Sequence, residues 1–152
     1  MKKYIPFLLL LILASCQESF YYSDSKAFDE DAWGYQDSLE FKVNIADTTT
    51  HFDLMLDLIH SADYPFQNIY VYINTQFPNG KRFGKEVNID LANKLGVWQG
   101  KCSGDWCNVR VNLQQNAFFN ETGDYTFTLK QYMRTDTLQG IRKVGFNLRA
   151  LP

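Results

Sequence analysis

Cysteines are the residues of this chain whose types and spacing most clearly indicate chemistry. Cys102 and Cys107 lie close together in the sequence, and neither histidine of the chain, His51 or His60, is near them. A metal site would need more ligands than this pair supplies. An even pair of cysteines in an exported chain is typical of a disulfide. We therefore expect a bond between Cys102 and Cys107, with no metal and no cofactor.

The remaining cysteine, Cys16, directly follows a short export signal. Two lysines precede an apolar run over residues 5–14, and two small residues stand directly before Cys16. These are the parts of a secretory signal, and the run is too short for a membrane span of about 20 residues. The Leu-Ala-Ser-Cys pattern also resembles the bacterial lipobox, in which the thiol receives a diacylglyceryl group and the chain is cut before the cysteine. We therefore expect a lipoprotein signal peptide over residues 1–15 and acyl chains such as palmitate on Cys16, enough for stable membrane anchoring.

Catalysis needs titratable groups that converge, and the sequence offers few of them. His51 and His60 stand at the two ends of one predicted strand, so they should lie far apart. Asp53 and Asp57 share a strand face but are about 13 Å apart at roughly 3.3 Å per residue, whereas glycosidase pairs need about 5 to 9.5 Å. Nucleophile-elbow, phosphate-loop and calcium-loop motifs are absent. We expect no enzyme, although carboxylates distant in sequence could still converge in space.

Apolar and polar residues alternate with a period of two over most of the chain, which is typical of strands. This pattern predicts seven strands, over residues 38–46, 51–60, 68–77, 86–91, 109–113, 125–133 and 144–148. Pro78-Asn79-Gly80 predicts a hairpin turn, because Asn-Gly accepts positive φ at both central positions. Residues 90–95, followed by a glycine, predict a single helical turn.

About seven short strands without a long helical pattern predict an all-β fold. We expect an antiparallel β-sandwich, of jelly-roll or immunoglobulin-like type, over residues 38–152. Residues 16–37 are polar with interspersed aromatics, and we expect them to be a lipidated, partly ordered tether. The formal net charge is -2, and the chain carries no basic stripe, which argues against nucleic acid as a partner.

Aromatic residues make up 16% of the chain and supply its candidate binding surface. Trp98 and Trp106 could belong to a sugar-stacking platform, although filling the core or covering the disulfide is the simpler role. Tyr70 and Tyr72 share one face of a predicted strand, which is either a partner surface or the second face of a buried strand. These four residues are therefore the candidate partner or ligand surface.

Several short motifs agree in order and spacing with one known family. They are Asn68-Ile69-Tyr70, Phe77-Pro78-Asn79-Gly80, Gly96-Val97-Trp98-Gln99-Gly100, Gly123-Asp124-Tyr125-Thr126-Phe127, Gln131-Tyr132-Met133-Arg134 and Leu138-Gln139-Gly140-Ile141. From Tyr64 to its C-terminus the chain thereby resembles the gliding motility lipoprotein GldH family. The resemblance carries over no catalytic residues, and Cys102 and Cys107 stand outside the family pattern.

The resemblance implies a non-catalytic cell-envelope component of the gliding machinery, which is linked to a dedicated protein secretion system. Its expected partners are the membrane, through the lipid, and other envelope proteins of that complex. The alternative is a carbohydrate-binding lipoprotein of a glycan uptake system, which would need exposed coplanar aromatics. Gln17-Glu18-Ser19 lacks the run of acids that resembles a surface-export signal in related bacteria. We therefore expect the domain to face the periplasm.

Overall fold

A computed structural model describes residues 18–152, so the predicted signal peptide and Cys16 lie outside the described residues. The described residues include a short 3₁₀ helix, Asp29–Asp31. None of the helices in this part of the chain is long and apolar enough to cross a membrane. The strands are β1 (Tyr22–Ala27), β2 (Ala32–Gly34), β3 (Leu39–Ile45), β4 (Phe52–Ser61), β5 (Asn68–Gln76), β6 (Arg82–Asp90), β7 (Lys101–Ser103), β8 (Trp106–Ala117), β9 (Gly123–Gln131), β10 (Thr137–Gln139) and β11 (Ile141–Ala150).

The long strands form two antiparallel sheets that pack face to face. Sheet I has the order β1-β11-β4-β8-β7, sheet II has the order β3-β9-β5-β6, and β2 pairs with β10. Four of the antiparallel pairs are nested along the chain, so that each pair lies between the two strands of the pair before it. In order from the outside they are β1–β11, β3–β9, β4–β8 and β5–β6. This nesting is the jelly-roll topology. The all-β sandwich prediction is confirmed, and the jelly roll is the correct one of its two expected types.

The core lies between the sheets and follows the predicted alternation. Along β3, every second side chain is buried and the others are exposed, as expected for a strand with one face on the core. All seven predicted strands are present, as β3, β4, β5, β6, β8, β9 and β11. The largest fully buried side chains include Trp33, Phe41, Phe52, Tyr125 and Phe146.

The fold also takes in part of the segment that we expected to be a tether. β1 pairs along its whole length with β11, at the edge of sheet I. Trp33 is fully buried, stacks on Phe28 with 5.2 Å between ring centroids, and donates a hydrogen bond from Nε1 to the Asp37 carbonyl at 3.0 Å. The described strands therefore begin at Tyr22, inside the segment that we expected to be a partly ordered tether. β1 carries mostly polar side chains, and none of its residues is fully buried.

Two local expectations need correction. The hairpin between β5 and β6 is present, but only Gly80 adopts positive φ and Asn79 does not. The residues after β6 form no helical turn, because the Asn93 side chain accepts the Leu95 and Val97 backbone N–H groups at 2.9 and 3.0 Å. Asparagine commonly competes with the helical backbone in this way.

The cysteine pair forms the expected disulfide. Cys102 on β7 and Cys107 on β8 are direct cross-strand partners and are bonded to each other. The bond closes a hairpin at one end of sheet I, with Cys107 buried and Cys102 exposed.

Candidate functional site

Tyrosines on the outer face of sheet II form the first part of the candidate site. Ile69 and Val71 of β5 are buried in the core, so the alternate residues Tyr70 and Tyr72 point outward. The Tyr72 ring leans across β6, where a Cβ added at Gly84 would overlap its hydroxyl. The absence of a side chain at Gly84 therefore determines how Tyr72 lies on the sheet.

The loop after β9 brings a third tyrosine beside these two. Gln131 is buried, and its side chain holds the loop by donating to the Thr135 carbonyl at 2.9 Å and accepting from the Met133 N–H at 2.8 Å. The Tyr132 backbone N–H donates to the Tyr70 carbonyl at 2.8 Å. The Tyr132 ring consequently lies 5.8 Å from the Tyr72 ring.

These elements enclose a groove of about 700 Å³, which we call the tyrosine groove. Its walls include Tyr35, Tyr70, Tyr132, Glu86 and Arg134. A second depression of about 340 Å³, lined in part by Tyr72, lies on the outer face of sheet II. Ligand sites in proteins typically measure about 300–1,000 Å³, so the groove is large enough for a side-chain cluster of a partner or for a sugar.

Several side-chain polar groups of the groove, namely the tyrosine hydroxyls and the charged groups of Glu86 and Arg134, have no partner within residues 18–152. Among residues 18–152, the tyrosine hydroxyls that make hydrogen bonds belong to Tyr21 and Tyr125, neither of which lines the groove. The ion pairs of the same residues do not involve Glu86 or Arg134. Tyrosine and arginine are enriched where proteins bind one another. The groove therefore offers both apolar ring surface and unpaired hydrogen-bonding groups.

Exposed apolar residues border the same end of the sandwich. Leu95 and Val97 are 88% and 59% exposed in the loop after β6. That loop is held to Gln67 by backbone hydrogen bonds from Leu91 and Ala92, and Phe66 beside Gln67 lines the groove. The loop therefore adds exposed apolar side chains to the segment that is joined to Gln67, next to the groove residue Phe66.

The two tryptophans of the predicted surface lie elsewhere. Trp98 is half-buried, donates from Nε1 to the Ala62 carbonyl at 3.0 Å, and packs 4.6 Å from the His60 ring. The Arg142 guanidinium lies over the Trp106 ring, with its Cζ atom 3.4 Å from the ring centroid. The structure thus brings together the two predicted tyrosines but keeps both predicted tryptophans away from them.

The titratable groups do not converge on a reactive centre in the described chain. His51 is exposed and contacts Asn116 at 2.8 Å, whereas His60 is buried at the far end of β4. Burial lowers the pKa of His60 and raises the pKa of Tyr64 beside it, and neither the His60 Nε2 nor the Tyr64 hydroxyl has a protein partner. No group of three or more possible metal ligands occurs within residues 18–152.

The perturbed carboxyl groups are held in their charged form. The Arg149 guanidinium lowers the pKa of Asp53, and the Arg142 guanidinium lowers the pKa of Asp31. The Thr49 hydroxyl and neighbouring backbone groups lower the pKa of Asp47 to about 2. A general acid needs a raised carboxyl pKa, so these carboxylates serve as structural hydrogen-bond acceptors and ion-pair partners.

Sequence reasoning missed Tyr35, Glu86, Tyr132 and Arg134 as members of the site. Tyr132 and Arg134 share the loop after β9, but Tyr35 and Glu86 lie on other elements, and no spacing in the sequence connects the three places. The available signal was the set of family-like motifs, since residues 68–70 and residues 131–134 both contribute to the groove.

The fold and the groove define a class of protein: a jelly-roll β-sandwich with an aromatic surface suited to binding. The GldH lipoprotein model matches residues 20–148, and the chain therefore belongs to the GldH lipoprotein family.

Two curated relatives are similar over nearly their whole lengths. The gliding motility lipoprotein GldH homolog of Christiangramia forsetii is 25% identical over 146 residues, covering 91% of this chain and 89% of the relative. The gliding motility lipoprotein GldH of Flavobacterium johnsoniae is 24% identical over 151 residues, covering 95% and 93%. Among solved structures, that of infectious bursal disease virus Gx strain aligns at 12% identity over 87% of this chain and 37% of the viral chain. Its TM-score of 0.23 is too low to indicate a shared fold.

Proposed function

We propose that this chain is a lipid-anchored, non-catalytic component of the gliding motility and associated protein secretion machinery. It binds another envelope protein of that machinery through the tyrosine groove. The observation that carries the proposal is the cluster of unpartnered tyrosine hydroxyls beside the unpaired Glu86 and Arg134. Family membership supports the process, and the groove supports the binding role.

The anchor in this proposal is a lipid on Cys16, which the pattern before that residue supports. The domain faces the periplasm, because Gln17-Glu18-Ser19 lacks an acidic run. The absence of converging titratable groups among residues 18–152 supports a role in assembly and not in catalysis.

Ring geometry favours a protein partner over a sugar. The Tyr72 and Tyr132 rings are tilted by 41° to one another, whereas a sugar platform needs coplanar rings. The exposed Leu95 and Val97 add apolar side chains in the loop that is hydrogen-bonded to Gln67, which a protein partner could also contact. Carbohydrate binding remains the second candidate, supported by the three exposed tyrosines at Tyr35, Tyr70 and Tyr132.

The test is gene replacement in a gliding host that carries this chain. A Tyr70→Ser, Tyr132→Ser double variant should reach wild-type levels in the membrane but lose most colony spreading and secretion. The matched control is Phe118→Ser, because Phe118 is an exposed aromatic, 63% exposed, in the loop between β8 and β9 and outside the groove. Normal spreading and secretion by the groove variant contradicts the proposal. Loss of growth on a particular glycan instead supports the sugar-binding candidate.

A Gly84→Ala variant tests the same surface without removing any aromatic ring. The new Cβ would overlap the Tyr72 hydroxyl and force that ring to a different position. The backbone of Gly84 does not have positive φ, so alanine fits there without backbone strain. Reduced spreading with an unchanged folded core would assign the effect to the shape of the tyrosine surface.

A further inference from the structure

The segment just before β1 is fixed across the outer face of sheet I. The Glu18 carboxylate pairs with the Arg110 guanidinium, which also lies 5.0 Å from the Phe20 ring centroid. Arg110 is itself held by both carboxylate oxygens of Asp57, at 2.6 and 2.8 Å. Such bidentate pairs fix the geometry of a guanidinium group. Residues 18–20 are thereby attached to β8.

This attachment places the segment over the outer face of sheet I. Tyr21 is still held at the β1 edge of the sheet, because its backbone N–H donates to the Leu148 carbonyl of β11 at 2.9 Å. The Arg110 guanidinium that Glu18 and Phe20 contact is bound to Asp57 of β4, so residues 18–20 lie over the outer face beside β11 and β4. Met55 on β4 and Asn147 on β11 point toward the outer face, yet they are only 2% and 3% exposed. Their burial agrees with a covered outer face.

The path leaves very little chain for the anchor. Cys16 stands two residues before Glu18, and two extended residues span at most about 7 Å. A lipid on Cys16 would therefore start beside Arg110, on the outer face of sheet I. The outer face of sheet II lies on the other side of two sheets that pack about 10 Å apart.

We propose that the outer face of sheet I lies against the headgroup layer of the membrane that holds the anchor. The tyrosine groove on sheet II is then turned toward the aqueous space, where its protein partner must stand. This inference rests on the lipidation of Cys16 that the proposed function includes. Arg110 and Arg149 of this face are already paired with Glu18, Asp57 and Asp53. The exposed Lys101 and Lys143 of the same face form no ion pair within residues 18–152. The short lipidated connection sets the orientation, and anionic lipid can strengthen it through these two lysines.

The test uses the full lipidated chain in phosphatidylcholine vesicles that carry a nitroxide on some headgroups. A fluorophore is attached at Lys143→Cys, on the outer face of sheet I, or at the matched Lys130→Cys, on the outer face of sheet II. Both lysines are exposed, and the disulfide leaves Cys102 and Cys107 unreactive. The label at position 143 should be quenched several-fold more strongly than the label at position 130, with or without added phosphatidylglycerol.

A flexible insert provides the control on the short connection. Ten glycine and serine residues after Gln17 add a mean reach of about 17 Å, so the difference in quenching should largely disappear. Equal quenching of the two labels in the native-length chain, or stronger quenching at position 130, overturns the orientation but leaves the proposed function standing. A chain without acyl groups overturns both the orientation and the assignment of Cys16.

Discussion

Replacement of Trp33 by alanine tests whether the segment before residue 38 belongs to the fold. Trp33 is fully buried, stacks on Phe28 and donates a hydrogen bond to the Asp37 carbonyl. Removing a buried tryptophan costs about 3–5 kcal/mol, and the lost hydrogen bond adds about 1 kcal/mol. Folded domains are stable by only about 5–15 kcal/mol, so the Trp33→Ala variant should be close to the limit of folding.

The assay is thermal unfolding of the purified soluble domain, followed by circular dichroism. At about 4 °C per kcal/mol for a domain of this size, the Tm should fall by roughly 15–25 °C. The matched control is Tyr35→Ala, two residues away and 45% exposed, which should change the unfolding free energy by about 0.5 kcal/mol or less. If both variants melt within about 2 °C of the unsubstituted domain, the segment is a tether and the reasoning is refuted.

Three further perturbations have distinct expected results. The Cys102→Ser, Cys107→Ser variant should fold with a loss of about 2 kcal/mol in denaturant unfolding, because the closed loop is short; failure to fold would contradict this. Burial lowers the pKa of His60 below its unfolded value of 6.5, so the unfolded state binds the proton first and stability falls as the pH drops below that value. We therefore expect the urea midpoint of the unsubstituted domain to decrease when the pH is lowered from about 7.5 to about 5.5, and to decrease much less in the His60→Gln variant. Lys85 lies on the edge strand β6 between Phe83 and Val87, which share its face of the strand. The Lys85→Val variant should self-associate in sedimentation velocity, because it loses a charge that discourages pairing between sheet edges. A strictly monomeric variant would show that this lysine does not protect the edge.

The seven strands were predictable because each has one face on the core, and alternation records that directly. Leu39, Phe41, Val43 and Ile45 are all buried on β3, as the pattern predicts. β1 escaped prediction because its residues Tyr22–Ala27 are mostly polar and none is fully buried, so its pairing with β11 leaves little trace in its own sequence.

Nested pairing could not be predicted from alternation. Each pair, from β1–β11 inward to β5–β6, depends on which strands meet in space, and the pattern within a strand records only its own two faces. The disulfide was predictable because composition and export context decide it.

The tyrosine groove was only half predictable. Tyr70 and Tyr72 share a strand, so their common face follows from the period of two. Tyr35 and Tyr132 follow the ends of other strands and join the groove through backbone hydrogen bonds, from the Tyr35 N–H to the Asp136 carbonyl and from the Tyr132 N–H to the Tyr70 carbonyl. Contacts of that kind have no periodic signature in a sequence.

Site-specific photo-crosslinking in living cells tests the central claim most directly. A photoreactive phenylalanine analogue replaces Tyr132 in the groove or Phe118, the exposed aromatic in the loop between β8 and β9, in otherwise native lipoprotein. We expect one discrete adduct with an envelope protein from position 132, and we expect it to be lost when Tyr70→Ser is added. Position 118 should give no such adduct. An adduct from position 118 alone, with none from position 132, would contradict the claim that the tyrosine groove binds the partner.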